Sequence, residues 1–249
     1  MPLQTILRYA YHIGMGVSEQ GGAQIGGGKN AASARTRKLM LATAIELMQN
    51  GETPSVTQAA EAAGVSRATA YRYFPSQSAL VQAVVDEGLG PILDWKSELT
   101  DAEDRVDDLL RSSSRRIFEF ESTFKAALKL SLEQWAQDRA GTLGEQPFKR
   151  GHRVDLLSKA IEPLRRRLGR AQFSRLAKAL SLTYGLEVLL VLKDIWGLGE
   201  RETQDVARWA ARSLVHMALL EAEEAESKPR TNGKAIASRR HRQPATSEL

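Results

Sequence analysis

The chain has 249 residues, enough for one large domain or two smaller ones with a buried core, and its 42% hydrophobic and 26% charged content is ordinary for a globular protein. It has no cysteine, which excludes disulfides, thiolate metal sites and a cysteine nucleophile. The formal charge of +5 suits a polyanionic partner without establishing one, and the longest apolar run, Leu186 to Trp196, is interrupted by Glu187, Lys193 and Asp194, short of the roughly 18 residues a membrane span needs.

Residues 1–32 end in GGAQIGGGKNAAS, whose glycines make order entropically expensive, so a flexible arm is expected there. Arg8 and His12 interrupt its apolar start and no small-residue cleavage site follows; this reads as no secretory signal and a cytoplasmic protein, with Met15 as an alternative beginning. Leu41, Ala44, Ile45 and Met48 then recur at helical spacing, predicting a helix over 35–50 stopped by Gly51. Ser55 with Gln58 has the capping-box pattern and opens a second helix that ends at Gly64. Ser66 caps a third helix running to Phe74, Pro75 blocks its continuation, and Ser76 starts a fourth helix through Glu87.

Two short helices around a glycine turn form a helix-turn-helix, which sets the start of its second helix against base edges in the major groove. Here that start is Arg67, Ala68 and Thr69. Arg67 can donate twice to guanine, Ala68 or the Thr69 methyl can touch thymine, and the hydroxyls of Thr69, Tyr71 and Tyr73 can hold phosphates. Arg72 suits either role, and Ser55, Thr57 and Ser66 add hydroxyls along the backbone path. Spacing alone also allows a plain packed helix pair whose arginines face water.

The run AAGVSRATAYRYF followed by PSQSAL resembles the TetR family of bacterial transcriptional regulators, in detail over about residues 35–85. The resemblance implies an all-α fold, with a helix-turn-helix domain over 33–80 and a helical effector-binding and dimerisation domain over 81–225. It further implies that Thr69, Tyr71 and Tyr73 contact phosphates and that Arg67 and Arg72 lie nearest the bases. One departure stands out: relatives usually have lysine where this chain has Gln77. Gln77 or the helix's own amides are left to hold that phosphate, with Lys29, Arg35 or Lys38 as substitutes for the missing charge.

Beyond Pro91, Thr100 with Glu103 reads as another capping box, opening a helix with Val106, Leu109, Leu110 and Ile117 on one side. A helix over 119–139 aligns Phe120, Phe124, Leu128 and Trp135, and the loop from Gly141 to Pro147 separates it from a stripe of Val154, Leu157, Ile161, Leu164 and Leu168 that Pro163 should break. One helix is expected over 171–196 and a last one over 202–224, each apolar on two sides. Leu182, Leu186, Leu189 and Trp196, with Leu214 and the small-residue row Ala207, Ala211 and Ala218, are therefore assigned to a homodimer interface. Phe120, Phe124, Trp135, His152, Tyr184 and Glu187 are the candidates to line a cavity with one polar end, with Ser112, Ser113 and Ser114 leaving room beside them. Residues 226–249 hold few large apolar side chains and should form a disordered tail, where Arg239, Arg240, His241 and Arg242 either add nonspecific DNA affinity or are simply solvated.

His12, His152, His216 and His241 show no metal-ligand spacing, and no nucleophile elbow or phosphate-binding loop occurs, so neither an enzyme nor a cofactor is expected. The sequence thus points to a homodimeric regulator, a repressor that binds a palindromic double-stranded operator, associates with the nucleoid when bound, and releases DNA when a small hydrophobic or amphipathic effector enters. The alternatives are an activator, a dimeric DNA-binding or structural protein without an effector, and a helical enzyme.

Overall fold

The computed structural model describes residues 27–227, with side chains from Ala31 onward. The expected arm up to residue 26, the Lys29 side chain, His12, and the tail from 228 with its Arg239–Arg242 cluster lie outside the described residues. Within them the fold is all-α, and no helix is long and apolar enough to cross a membrane.

The chain opens with α1 (Gly27–Gln49), which begins inside the segment expected to be an arm. Its face of Met40, Leu41, Ala44, Ile45 and Met48 is buried, and Gly51, at φ 84, turns the chain away. Two short helices follow, α2 (Val56–Ala62) and α3 (Arg67–Tyr73), then α4 (Gln77–Leu89). Each has the serine cap expected of it: Ser55, Ser66 and Ser76 accept from the amides of Gln58, Thr69 and Ala79, and the Gln58 side chain returns the bond to the Ser55 amide. Gly64, at φ 65, makes the turn between α2 and α3, where a side chain would be strained. Val56, Ala59, Ala60, Ala70 and Phe74 are the buried contacts that fix these elements on α1.

A 3-10 turn, Gly90–Asp94, leads to the second half of the molecule. Its central helix is α5 (Ala102–Glu119), with Val106, Leu109, Leu110 and Ile117 buried as expected. Its cap is Asp101, accepting from the Asp104 amide at 3.0 Å, rather than Thr100: the helix begins at Ala102, so Asp101 stands in the cap position and reaches the third amide. Then come α6 (Glu121–Arg139) and α7 (His152–Ala160). The expected break at Pro163 is the 3-10 turn Glu162–Leu164, which gives way to α8 (Arg165–Leu180), itself kinked at Gly169.

The helix expected over 171–196 is broken. The chain is non-helical from 181 to 185, and Gly185 at φ 95 redirects it into α9 (Leu186–Val188), a single turn continuing as a π-helical stretch, Leu189–Ile195. Gly197 then leads to α10 (Glu200–Ser227), which packs mainly on α5 and α8.

Two arginines of α5 finish other helices. Arg105 donates to the carbonyls of Lys159 and Ala160 at the end of α7, at 2.9 and 3.0 Å. Three turns on, Arg116 donates to those of Glu87 and Gly88 near the end of α4, at 2.7 and 2.8 Å. Each guanidinium satisfies terminal carbonyls that a helix cannot pair by itself.

Candidate nucleic-acid interface and internal cavity

α3 is short, amphipathic and anchored by one buried alanine, Ala70, so most of its surface faces out. Arg67, Ala68, Tyr71 and Arg72 are exposed, and Thr69 and Tyr73 are half-buried. Arg67 forms an ion pair with Glu61 of α2 at 2.8 Å, both side chains well exposed. Such a pair is worth little in water and leaves the guanidinium free to exchange partners. The Ser66 hydroxyl donates to Thr69 Oγ1 at 2.9 Å, and Thr57 Oγ1 lies 3.5 Å from the Tyr71 hydroxyl. Tyr73 shares a 2.8 Å hydrogen bond with Ser33 of α1 and accepts from Arg72 at 3.3 Å; these two bonds hold its phenol below the ordinary tyrosine value. Lys38 is exposed on α1. Ser55, Thr57, Ser66, Arg67, Thr69, Tyr71, Arg72 and Tyr73 are therefore brought onto neighbouring turns of α2 and α3.

Gln77 is placed differently. Its carboxamide donates to the Thr53 carbonyl at 2.9 Å, tying α4 to the turn before α2. The first amides of α4, left by the sequence to a phosphate, already hold an anion: Glu145, from the loop after α6, accepts from Gln77 N at 3.1 Å and Ser78 N at 3.2 Å. Its Oε1 also accepts from Ser78 Oγ at 3.0 Å and from Gln134 Nε2 at 2.8 Å. The buried Gln134 in turn accepts from the Phe148 amide at 2.8 Å. A carboxylate at a helix N-terminus is favoured by the unpaired amides and the helix dipole. Glu145 went unnoticed because the Gly141–Pro147 loop reads from sequence as a spacer.

The same loop continues into the wall of a cavity of about 90 Å³, lined by Val85 and Leu89 of α4, Phe124 of α6, Phe148, Leu156 of α7, and Tyr184 to Leu186. Four of the six expected lining residues gather at or beside it. Phe124, His152 and Tyr184 line it, and Glu187 forms ion pairs with Arg150 and Arg153, which do too. His152 bonds Asp86 of α4 through Nε2 at 2.8 Å and lies 3.0 Å from Gln82, so besides lining the cavity it links α7 to α4. Burial pushes the Glu187 carboxyl up, but Arg153, by charge and hydrogen bond, and Arg150 outweigh it and hold it below the usual glutamate value.

Phe120 is buried against Phe124, ring centroids 6.4 Å apart, one layer from the cavity wall. Trp135 is 65% exposed and does not belong there: it lies on the outward side of α6, while the covered side of the same turn is the buried Gln134. Tyr184 is pushed up by burial and donates to Ser113 Oγ at 2.9 Å; Ser113 itself is buried, while Ser112 is exposed. Beyond Tyr184 and Gly185 lies a second space of about 40 Å³, lined by Ser114 and by Thr203, whose buried hydroxyl has no hydrogen-bond partner among the described residues. Arg150 and Arg153 were missed by the sequence reading, although the run Lys149, Arg150, His152, Arg153 beside an aromatic was a signal available to it.

The expected dimer residues divide. Leu182 and Trp196 are exposed and Leu214 half-buried, but Leu186, Leu189, Ala207, Ala211 and Ala218 are buried inside the one chain. The alanine row does permit close helix approach, and the helices that use it are the chain's own α5 and α8. The outward face of α10 is instead Val206, Trp209, Met217 and Leu220, at helical spacing.

Residues 41–84 match the family model described as bacterial regulatory proteins, tetR family. No curated protein matches the chain in sequence. Among solved structures, a TetR transcriptional regulator from Rhodococcus sp. RHA1 is similar, with a TM-score of 0.50 and 20% identity over 73% of this chain and 96% of that one. At that identity the likeness is one of fold.

Proposed function

We propose that this chain, whose residues 41–84 match the tetR-family model, is a DNA-binding transcriptional regulator that acts as a homodimeric, ligand-responsive repressor of a palindromic operator. The observation that carries the reading is the continuity of α4: the helix that follows the DNA-reading pair also supplies Val85 and Leu89 to the cavity wall. Arg67 and Ala68, exposed at the start of α3, read bases; Tyr71, Tyr73 and Thr69 hold phosphates. A ligand that enlarges the cavity shifts α4, and with it α3, out of register with the groove.

The second copy covers Trp209, 71% exposed, Met217, 55%, and Leu220, 40%, together with Ile195 and Trp196 before α10. An apolar stripe of this extent is uncommon on a monomer. A two-fold dimer demands half-sites of inverted symmetry, spaced about one helical turn, roughly 10 bp, or more. Selecting bound fragments from a random DNA pool tests the whole reading: an inverted repeat is expected, and a single asymmetric site would end it. Tyr71→Phe should weaken binding to all sequences alike, by about 1 kcal/mol for one hydrogen bond to phosphate, measured by titration on selected and random duplexes.

A further inference from the structure

The mouth of the cavity is more specific than its walls. Lys149, Arg150 and Arg153 all line it, and the carboxylate that answers them is Glu187, since Asp86 is engaged by His152 and Gln82. Arg150 takes Glu187 Oε1 and Arg153 takes Oε2, so the chain itself already seats a carboxylate across two guanidiniums. Behind that pair the surface is apolar, with Val85, Leu89, Phe124, Phe148, Leu156 and Leu186.

We propose that this cavity binds a small monocarboxylate with a short apolar tail, its carboxylate resting on Arg150 and Arg153 in place of that of Glu187. The proposal rests on the reading of the cavity as the effector site and names the class of effector. Guanidinium forks match a carboxylate in shape as well as charge, and the excess of cations at the mouth repels an amine. The tail is short because about 90 Å³ is less than the roughly 150 Å³ of an apolar cavity known to hold benzene.

Glu187 can give way. It lies on the single turn of α9, directly after the glycine at φ 95, where little regular helix holds it. A Cβ at Gly185 would sit 3.4 Å from the Arg153 guanidinium, so the backbone here already closes on that arginine. An arriving carboxylate exchanges one anion for another on the same two donors, so no charge is stranded in the wall. The displaced Glu187 turns to solvent, which its half-buried position allows.

The test is calorimetric titration of the full chain with butanoate, butylamine and 1-butanol, which share a short tail and differ in the head. Butanoate should bind at least tenfold more tightly than the other two. Arg153→Met should abolish that preference, and Glu187→Gln should tighten butanoate several-fold by removing the resident competitor, a gain that misfolding cannot mimic. Equal binding of butanol or butylamine, no detectable binding of butanoate, or Glu187→Gln weakening it would overturn the proposal. Operator titration separates this from the wider reading. Preferential butanoate binding that leaves operator affinity unchanged supports the ligand class and ends the control function; an uncharged ligand that binds as well and releases the operator does the reverse.

Discussion

The helix-turn-helix head and the helical body behind it use charge in opposite ways. In the head, Arg67 and Glu61 are 69% and 62% exposed and meet across one turn of chain, a pairing that water and salt dissolve easily. In the body, charged side chains reach across long stretches of sequence: Arg208 grips Asp107 with two bonds of 2.7 Å, and Arg116 and Glu145 seize the two ends of α4. The head therefore keeps its functional groups detachable from its stability, whereas in the body the same groups serve both. Substituting an exposed head residue such as Arg67 should separate binding from stability, whereas substituting Arg116 or Glu145 should disturb both.

The largest expected effect breaks the head from beneath. Phe74, 2% exposed under Arg37, closes the end of α3 on α1. Phe74→Ala should cost about 3–5 kcal/mol by denaturant titration and remove operator binding with it. Arg67→Ala should do the contrary, leaving the unfolding midpoint in place while relaxing preference at one base pair per half-site by about 1–3 kcal/mol. Equal losses on selected and random DNA would show that Arg67 reads only phosphate. Ser66→Ala, which deprives α3 of its cap, should lower stability by about 1 kcal/mol and weaken DNA binding in proportion.

The smallest effect belongs to the body and is seen in pH. The Arg208 hydrogen bond, opposed by partial burial, holds the Asp107 carboxyl below its ordinary value, with the charges of Arg208, Arg212 and Arg111 adding to it. A depressed folded value means the stability is present above the unfolded aspartate value, about 3.9, and is lost as pH falls through the folded one. Asp107→Asn should flatten that part of an acid-unfolding curve and leave operator specificity untouched. An unchanged acid limb would show that α5 and α10 do not depend on this pair.

The contrast also explains what the sequence disclosed. Ser55, Ser66, Ser76, Gly51 and Gly64 act on amides within a few residues, so the head could be read in order from neighbouring letters. The buried stripe of α5 was legible for the same reason. Periodicity could not say whose helix an apolar face meets, and so Ala207, Ala211 and Ala218 were given to a partner although they pack at home. Gly185 was present in the letters, but a continuing apolar rhythm hid its break at φ 95. Least legible were Gln134, Glu145 and Ser78, whose bonds span up to 68 residues and leave no local trace.

The clasp on α4 bears on how such a protein can be rebuilt. Its first amides are completed by Glu145 and its last carbonyls by Arg116, both outside the segment that matches the family model. A chimera that grafts residues 27–89 onto another sensor would keep the Ser76 cap but leave the amides of Gln77 and Ser78 and the carbonyls of Glu87 and Gly88 without these partners. A transplantable unit must bring the 141–148 loop and the α5 arginine as well, so the boundary for exchange lies in three pieces of chain instead of at one cut.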